Sequence, residues 1–148
     1  MKHGPLLAVL ILAACDTFPG PSLTAQLAPD ADADCLLQAV SEAPGVVPGE
    51  PRTETTDAFG IVPWGPITTR HTGLPLTFDG ETFVFQLTEE NGEMTRLLLP
   101  GYGWSECPPP RFLAAHARLV ETVTPRLERC TPRPDLQLAV TGRCEVAR

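Results

Sequence analysis

One segment restricts the fold more than any other. From residue 111 to residue 130, Phe112, Leu113, His116, Leu119, Val120, Val123 and Leu127 recur at helical spacing, and Arg111, Ala114, Arg118 and Thr122 take the other side. This pattern predicts an amphipathic helix that must lay one face on an apolar surface. Pro125 cannot donate its amide and crowds the preceding turn, so a kink or a restart is expected there, with Thr124 as its cap. Cys107 and Cys130 bracket the segment. Some twenty helical residues span roughly 30 Å. A disulfide needs Cα atoms within about 7 Å, so a Cys107–Cys130 bridge is disfavoured. With Cys35 and Cys144 as the other two cysteines beyond Cys15, two connectivities remain open. Cys35–Cys107 with Cys130–Cys144 is preferred, because the second bridge closes a short helix-to-strand loop.

A second helix is expected over residues 31–43. Aspartates gather at its start, where they face the positive end of the helix dipole. Leu36, Leu37 and Val40 face inward, and Pro44-Gly45 stops it. The run Asp30-Ala-Asp-Ala-Asp34 does not make a calcium loop. An EF-hand needs glycine at its sixth position and glutamate at its twelfth, and those positions hold Cys35 and Ser41.

Strands fill the middle of the chain. Residues 44–56 read as loop, 57–63 as a short strand interrupted by Pro63, and 74–78 as another. In residues 81–89, Phe83, Phe85 and Leu87 alternate with Thr82, Val84, Gln86 and Thr88, the period of a strand with one buried face. Glu90-Asn91-Gly92 then leads into Met94–Leu99, which predicts a hairpin. A two-residue turn would set Leu87 opposite Arg96. A three-residue loop with Gly92 left-handed sets Phe85 opposite Leu97 and Phe83 opposite Leu99, and is preferred because it keeps apolar with apolar. Glu89, Glu90 and Glu93 gather at a solvated tip. Leu136, Leu138 and Val140 alternate in a last strand. The expected fold is α+β: a small antiparallel sheet of four or five short strands, packed by one long C-terminal and one short N-terminal helix, with two disulfides.

The start of the chain speaks to location. Lys2 is followed by the short apolar run Leu6–Leu12, and Leu12-Ala13-Ala14-Cys15 closes it. A membrane span takes roughly 20 apolar residues, so the run reads as a removable signal. Leu-Ala-Ala-Cys closely resembles the lipobox of bacterial lipoproteins. The resemblance covers only this processing site. It implies cleavage before Cys15, acylation of that cysteine, and a bilayer as partner through it. Localisation is then the cell envelope, facing the periplasm or the outside, with inner and outer membrane both open. Residues 1–14 become signal peptide, 15–29 (rich in proline) a lipidated flexible tether of at most about 48 Å, and 30–148 a single domain. Four further cysteines in an exported chain suit two disulfides.

Charge argues against nucleic acid as a partner. The formal net charge is −7, and the only lysine lies in the signal. Residues 15–110 hold three arginines against fourteen acids, whereas residues 111–148 hold seven arginines against four. The basic part either packs on the acidic remainder or makes a dipolar surface for a partner.

No cofactor and no metal site is expected: no Cys-x-x-Cys, no histidine at metal spacing from a cysteine, no Gly-x-Ser-x-Gly and no phosphate-cradling glycine pattern is present. His116 falls on the apolar stripe, as a core histidine with one hydrogen bond or as a buried general base. His71 falls in a polar loop. Trp64, Tyr102 and Trp104 sit on loops rich in glycine and proline and are candidate partner-contact residues. The expected role is a non-enzymatic accessory or assembly subunit for an envelope partner. The alternative is an inhibitor or ligand-binding module, directed at a hydrolase or a glycan.

Overall fold

The computed structural model describes residues 20–58, 66–100, 107–130, 139–141 and 144. Their elements run β1 (Ser22–Gln26), α1 (Ala33–Ser41), β2 (Val47–Pro48), β3 (Arg52–Ala58), β4 (Ile67–Phe78), β5 (Glu81–Glu90), β6 (Glu93–Pro100), α2 (Pro110–Cys130) and β7 (Ala139–Thr141). The fold is α+β. All strand pairs are antiparallel, in the order β2-β4-β5-β6-β1-β7, and β3 pairs with β4 on the same side as β2. The sheet therefore has seven strands among the described residues, more than the four or five expected.

Two of the extra strands come from segments without an obvious alternating pattern. Residues 22–26, assigned from composition to a flexible tether, form β1 between β6 and β7, with Leu23 paired to Leu99 and Val140. Gly20 is already buried, as are Leu23, Ala25 and Leu27. Alternation is present in Leu-Thr-Ala-Gln-Leu, but flanking prolines hide it. Residues 52–58, read largely as loop, form the edge strand β3, whose residues 52–57 are all exposed, so no buried face marks them in the sequence.

The hairpin differs from both registers considered. Asn91 and Gly92 both take positive φ (50° and 82°), a two-residue turn with Glu90 opposite Glu93. The register then slips. Glu89 opposes Met94 but Thr88 opposes Arg96, which leaves Thr95 as a bulge whose Oγ1 donates to the Thr88 carbonyl at 3.1 Å. Beyond the bulge Leu87 meets Leu97. Apolar does meet apolar, through the bulge rather than through a longer loop.

Both helices cover one face of the sheet. Asp32 caps α1 by accepting from the Cys35 amide at 3.1 Å, and Leu36 and Val40 are fully buried. Helix α2 packs Phe112, Ala115, Leu119, Val123 and Leu127 into the same core as Leu23, Leu74, Leu76, Phe83, Phe85, Leu97 and Leu99. It runs through Pro125 without restarting, so Thr124 is interior and not a cap. Pro125 and Glu121, whose carbonyl loses its partner, are both exposed, while the buried Val123 and Leu127 hold the last turns to the core.

The disulfides are Cys35–Cys130 and Cys107–Cys144, each with Cα atoms 5.7 Å apart. The preferred pairing is thereby corrected. Thr141 lies opposite Ser22, and Ser22 lies opposite Pro100. The chains leading to Cys107 and Cys144 thus leave the same end of the sheet, and Cys130 ends the helix that packs on α1.

Candidate functional site

The sheet face turned away from the helices is polar. Alternation and register set its composition. One cross-strand row is Arg52, Gly73 and Gln86, continued by Leu98 and Thr24. The next is Glu54, His71 and Thr88, continued by Arg96 and Gln26. Arg52, Glu54, His71, Gly73 and Gln86 line a groove of about 370 Å³. Gly73 lies between Arg52 and Gln86 in this row and contributes only backbone to the groove.

His71 is on a strand, not in a polar loop. Its Nδ1 lies 3.2 Å from Thr88 Oγ1, and Thr88 is 7 % exposed. Glu54 is its cross-strand neighbour on the other side. Acid, imidazole and hydroxyl in one row are the residue types of an activated nucleophile, which needs the base oriented by the third group. Among the described residues no hydrogen bond or ion pair joins Glu54 to His71. Arg52, Glu54 and Gln86 make no side-chain hydrogen bond or ion pair among these residues either. Their polar groups are available for a ligand or a partner surface.

A shallower recess of about 270 Å³ lies beside the Cys35–Cys130 bridge, lined in part by Gln38, Glu42, Arg126 and Arg129. Much of its polar capacity is spent: Gln38 Nε2 donates to Glu42 at 2.8 Å and Arg129 Nε donates to the Pro125 carbonyl at 3.2 Å. Among the described residues no group of three or more His, Cys, Asp or Glu side chains is placed to hold a metal ion.

His116 is 1 % exposed, with Nε2 3.1 Å from the Leu99 carbonyl and its ring 6.0 Å from that of Phe83. Burial pushes its pKa below 6.5, and the hydrogen bond to Leu99 opposes this more weakly. The neutral ring donates through Nε2 and ties α2 to β6. It lies on the helix side of the sheet, away from the polar groove.

Arginines of α2 meet acids of the sheet: Arg118 bonds Asp79 at 2.6 Å and Arg111 bonds Glu81 at 3.0 Å. Two of the seven C-terminal arginines thus pack on the acidic part of the chain. At the hairpin tip Arg70 pairs with Glu89 at 3.3 Å.

The lipidation candidate Cys15 and the contact candidates Trp64, Tyr102 and Trp104 lie outside the described residues. Nothing in the sequence marks Arg52, Glu54, Gly73 and Gln86 as a site. They come together only through the pairing of β3, β4 and β5, and β3 carries no buried face to reveal it. No protein-family model matches the chain, and neither a curated protein nor a solved structure does.

Proposed function

We propose that this chain is a lipid-anchored envelope protein, acylated at Cys15, whose domain acts as a non-enzymatic accessory subunit and meets a protein partner through its polar sheet face. The observation that carries this reading is the row arrangement on that face: Arg52, Glu54 and Gln86 carry hydrogen-bonding groups that no described residue engages, while both helices pack on the opposite side. Charged and amide groups on a rigid sheet suit partner recognition, since little entropy is lost on docking. The two disulfides supply rigidity in an exported setting. Trp64, Tyr102 and Trp104 remain candidate contacts for the same partner.

The test is site-specific photo-crosslinking in native membranes, with the crosslinker at Gln86 on the polar face and, separately, at Glu121 on the exposed side of α2. A single product from Gln86 and none from Glu121 is expected. Equal products from both, or none from either, would refute the docking face. The groove supports a second reading as a ligand-binding module. Its arginine, carboxylate and amide fit a small polar ligand, and loss of binding in Arg52→Ala with unchanged melting would favour it.

A further inference from the structure

The structure bears on how such an anchored domain stands on its membrane. We infer that the end of the sheet carrying Ser22, Pro100, Thr141 and the Asp79-Gly80 turn faces the bilayer, and that the Asn91-Gly92 hairpin tip points away from it. The inference rests on the proposed acylation of Cys15.

Chain length is the first argument. Gly20 is buried in the domain and β1 starts at Ser22. Only five residue steps separate Cys15 from Gly20, a reach of at most about 18 Å fully extended. A tether running to Pro29 would let the domain tumble, whereas this one keeps the start of β1 within about 18 Å of the acylated residue. The register then fixes what else lies at that end. Ser22 is opposite Pro100 and Thr141, and β5 begins there, with Thr82 paired to Thr77. Strand β1 runs away from this end towards Gln26, opposite Arg96, and on to Pro29, whose carbonyl accepts from the Met94 amide at 3.2 Å. The hairpin tip and the start of α1 are therefore at the far end.

Charge supplies the second argument. At the near end the carboxylates of Asp79 and Glu81 are bridged by Arg118 and Arg111. At the far end Asp34, Glu90 and Glu93 are exposed and have no ion pair among the described residues, against one exposed arginine there without one, Arg96. An anionic leaflet repels the unpaired acids and is indifferent to the bridged ones. Tether reach and charge orient the molecule the same way.

The experiment uses full-length acylated protein in phosphatidylethanolamine–phosphatidylglycerol vesicles containing a nitroxide-labelled lipid. A fluorophore is placed at Thr82→Cys or at Glu93→Cys, both exposed positions. Quenching several-fold stronger at position 82 than at 93 is expected. Inserting about twenty glycine and serine residues between Cys15 and Gly20 should reduce that difference. Equal quenching, stronger quenching at 93, or a difference that the insertion leaves unchanged would overturn the inference. Mass spectrometry of the same sample separates the two claims. Acylated Cys15 with equal quenching removes the orientation alone, and unacylated Cys15 with no quenching removes the anchor and the orientation together.

Discussion

His116 is held neutral inside the protein. The unfolded chain takes up a proton near pH 6.5, while the buried imidazole resists it to lower pH. Below that point the unfolded state binds more protons than the folded state, so stability falls as pH drops from about 6.5 through the lowered folded pKa. His116→Gln keeps a donor for the Leu99 carbonyl and removes the titration. Urea midpoints measured between about pH 7 and 5.5 should fall in the wild type and stay nearly level in the variant. Parallel profiles would show that His116 is not the group responsible. Leu23 gives a second residue-scale test. It is 1 % exposed in β1, so Leu23→Ala should cost about 2–5 kcal/mol in urea unfolding. A flexible tether at this position would show no loss.

At the scale of elements, the hairpin and the disulfides divide the labour of holding distant segments together. Asn91 does more than turn the chain: its amide donates to the Thr68 carbonyl at 2.8 Å and its Oδ1 accepts from the Thr68 amide at 3.1 Å. Asn91→Ala loses that acceptor and strains a residue at φ 50°, with an expected cost of about 1–2 kcal/mol in thermal or urea unfolding. The Cys35–Cys130 bridge closes a separation of 95 residues. Replacing both cysteines with serine should cost about 2–5 kcal/mol, and a loss near zero would contradict its role as the clamp between α1 and α2. Both helices were legible in the sequence because each buries one stripe, with Leu36 and Val40 in the first and Leu119, Val123 and Leu127 in the second. Helix length also disfavoured Cys107–Cys130. The choice between the other two pairings was not legible, because it depends on β7 lying beside β1, and three paired residues of that contact leave little local trace. Strand β3 was hidden for a different reason: at a sheet edge, Arg-Thr-Glu-Thr-Thr-Asp-Ala has no apolar face to bury. His71 and the polar groove were lost with it.

For the whole molecule, the N-terminal strand changes the relation between the proposed anchor and the domain. With β1 between β6 and β7, the proposed tether is short rather than long, and residues 22–26 pair with β6 residues 70 to 78 positions away. The same arrangement puts both helices on one side and leaves the polar rows of β3, β4 and β5 on the other. With the proposed acylation of Cys15, the molecule is a disulfide-clamped domain held near a membrane. Peptide mapping of protein purified from membranes, without reduction, tests this most directly. The predicted result is an N-terminal peptide that begins at an acylated Cys15, together with linked peptides joining Cys35 to Cys130 and Cys107 to Cys144. An unmodified Cys15 within a longer peptide, or free thiols at these four cysteines, would contradict it.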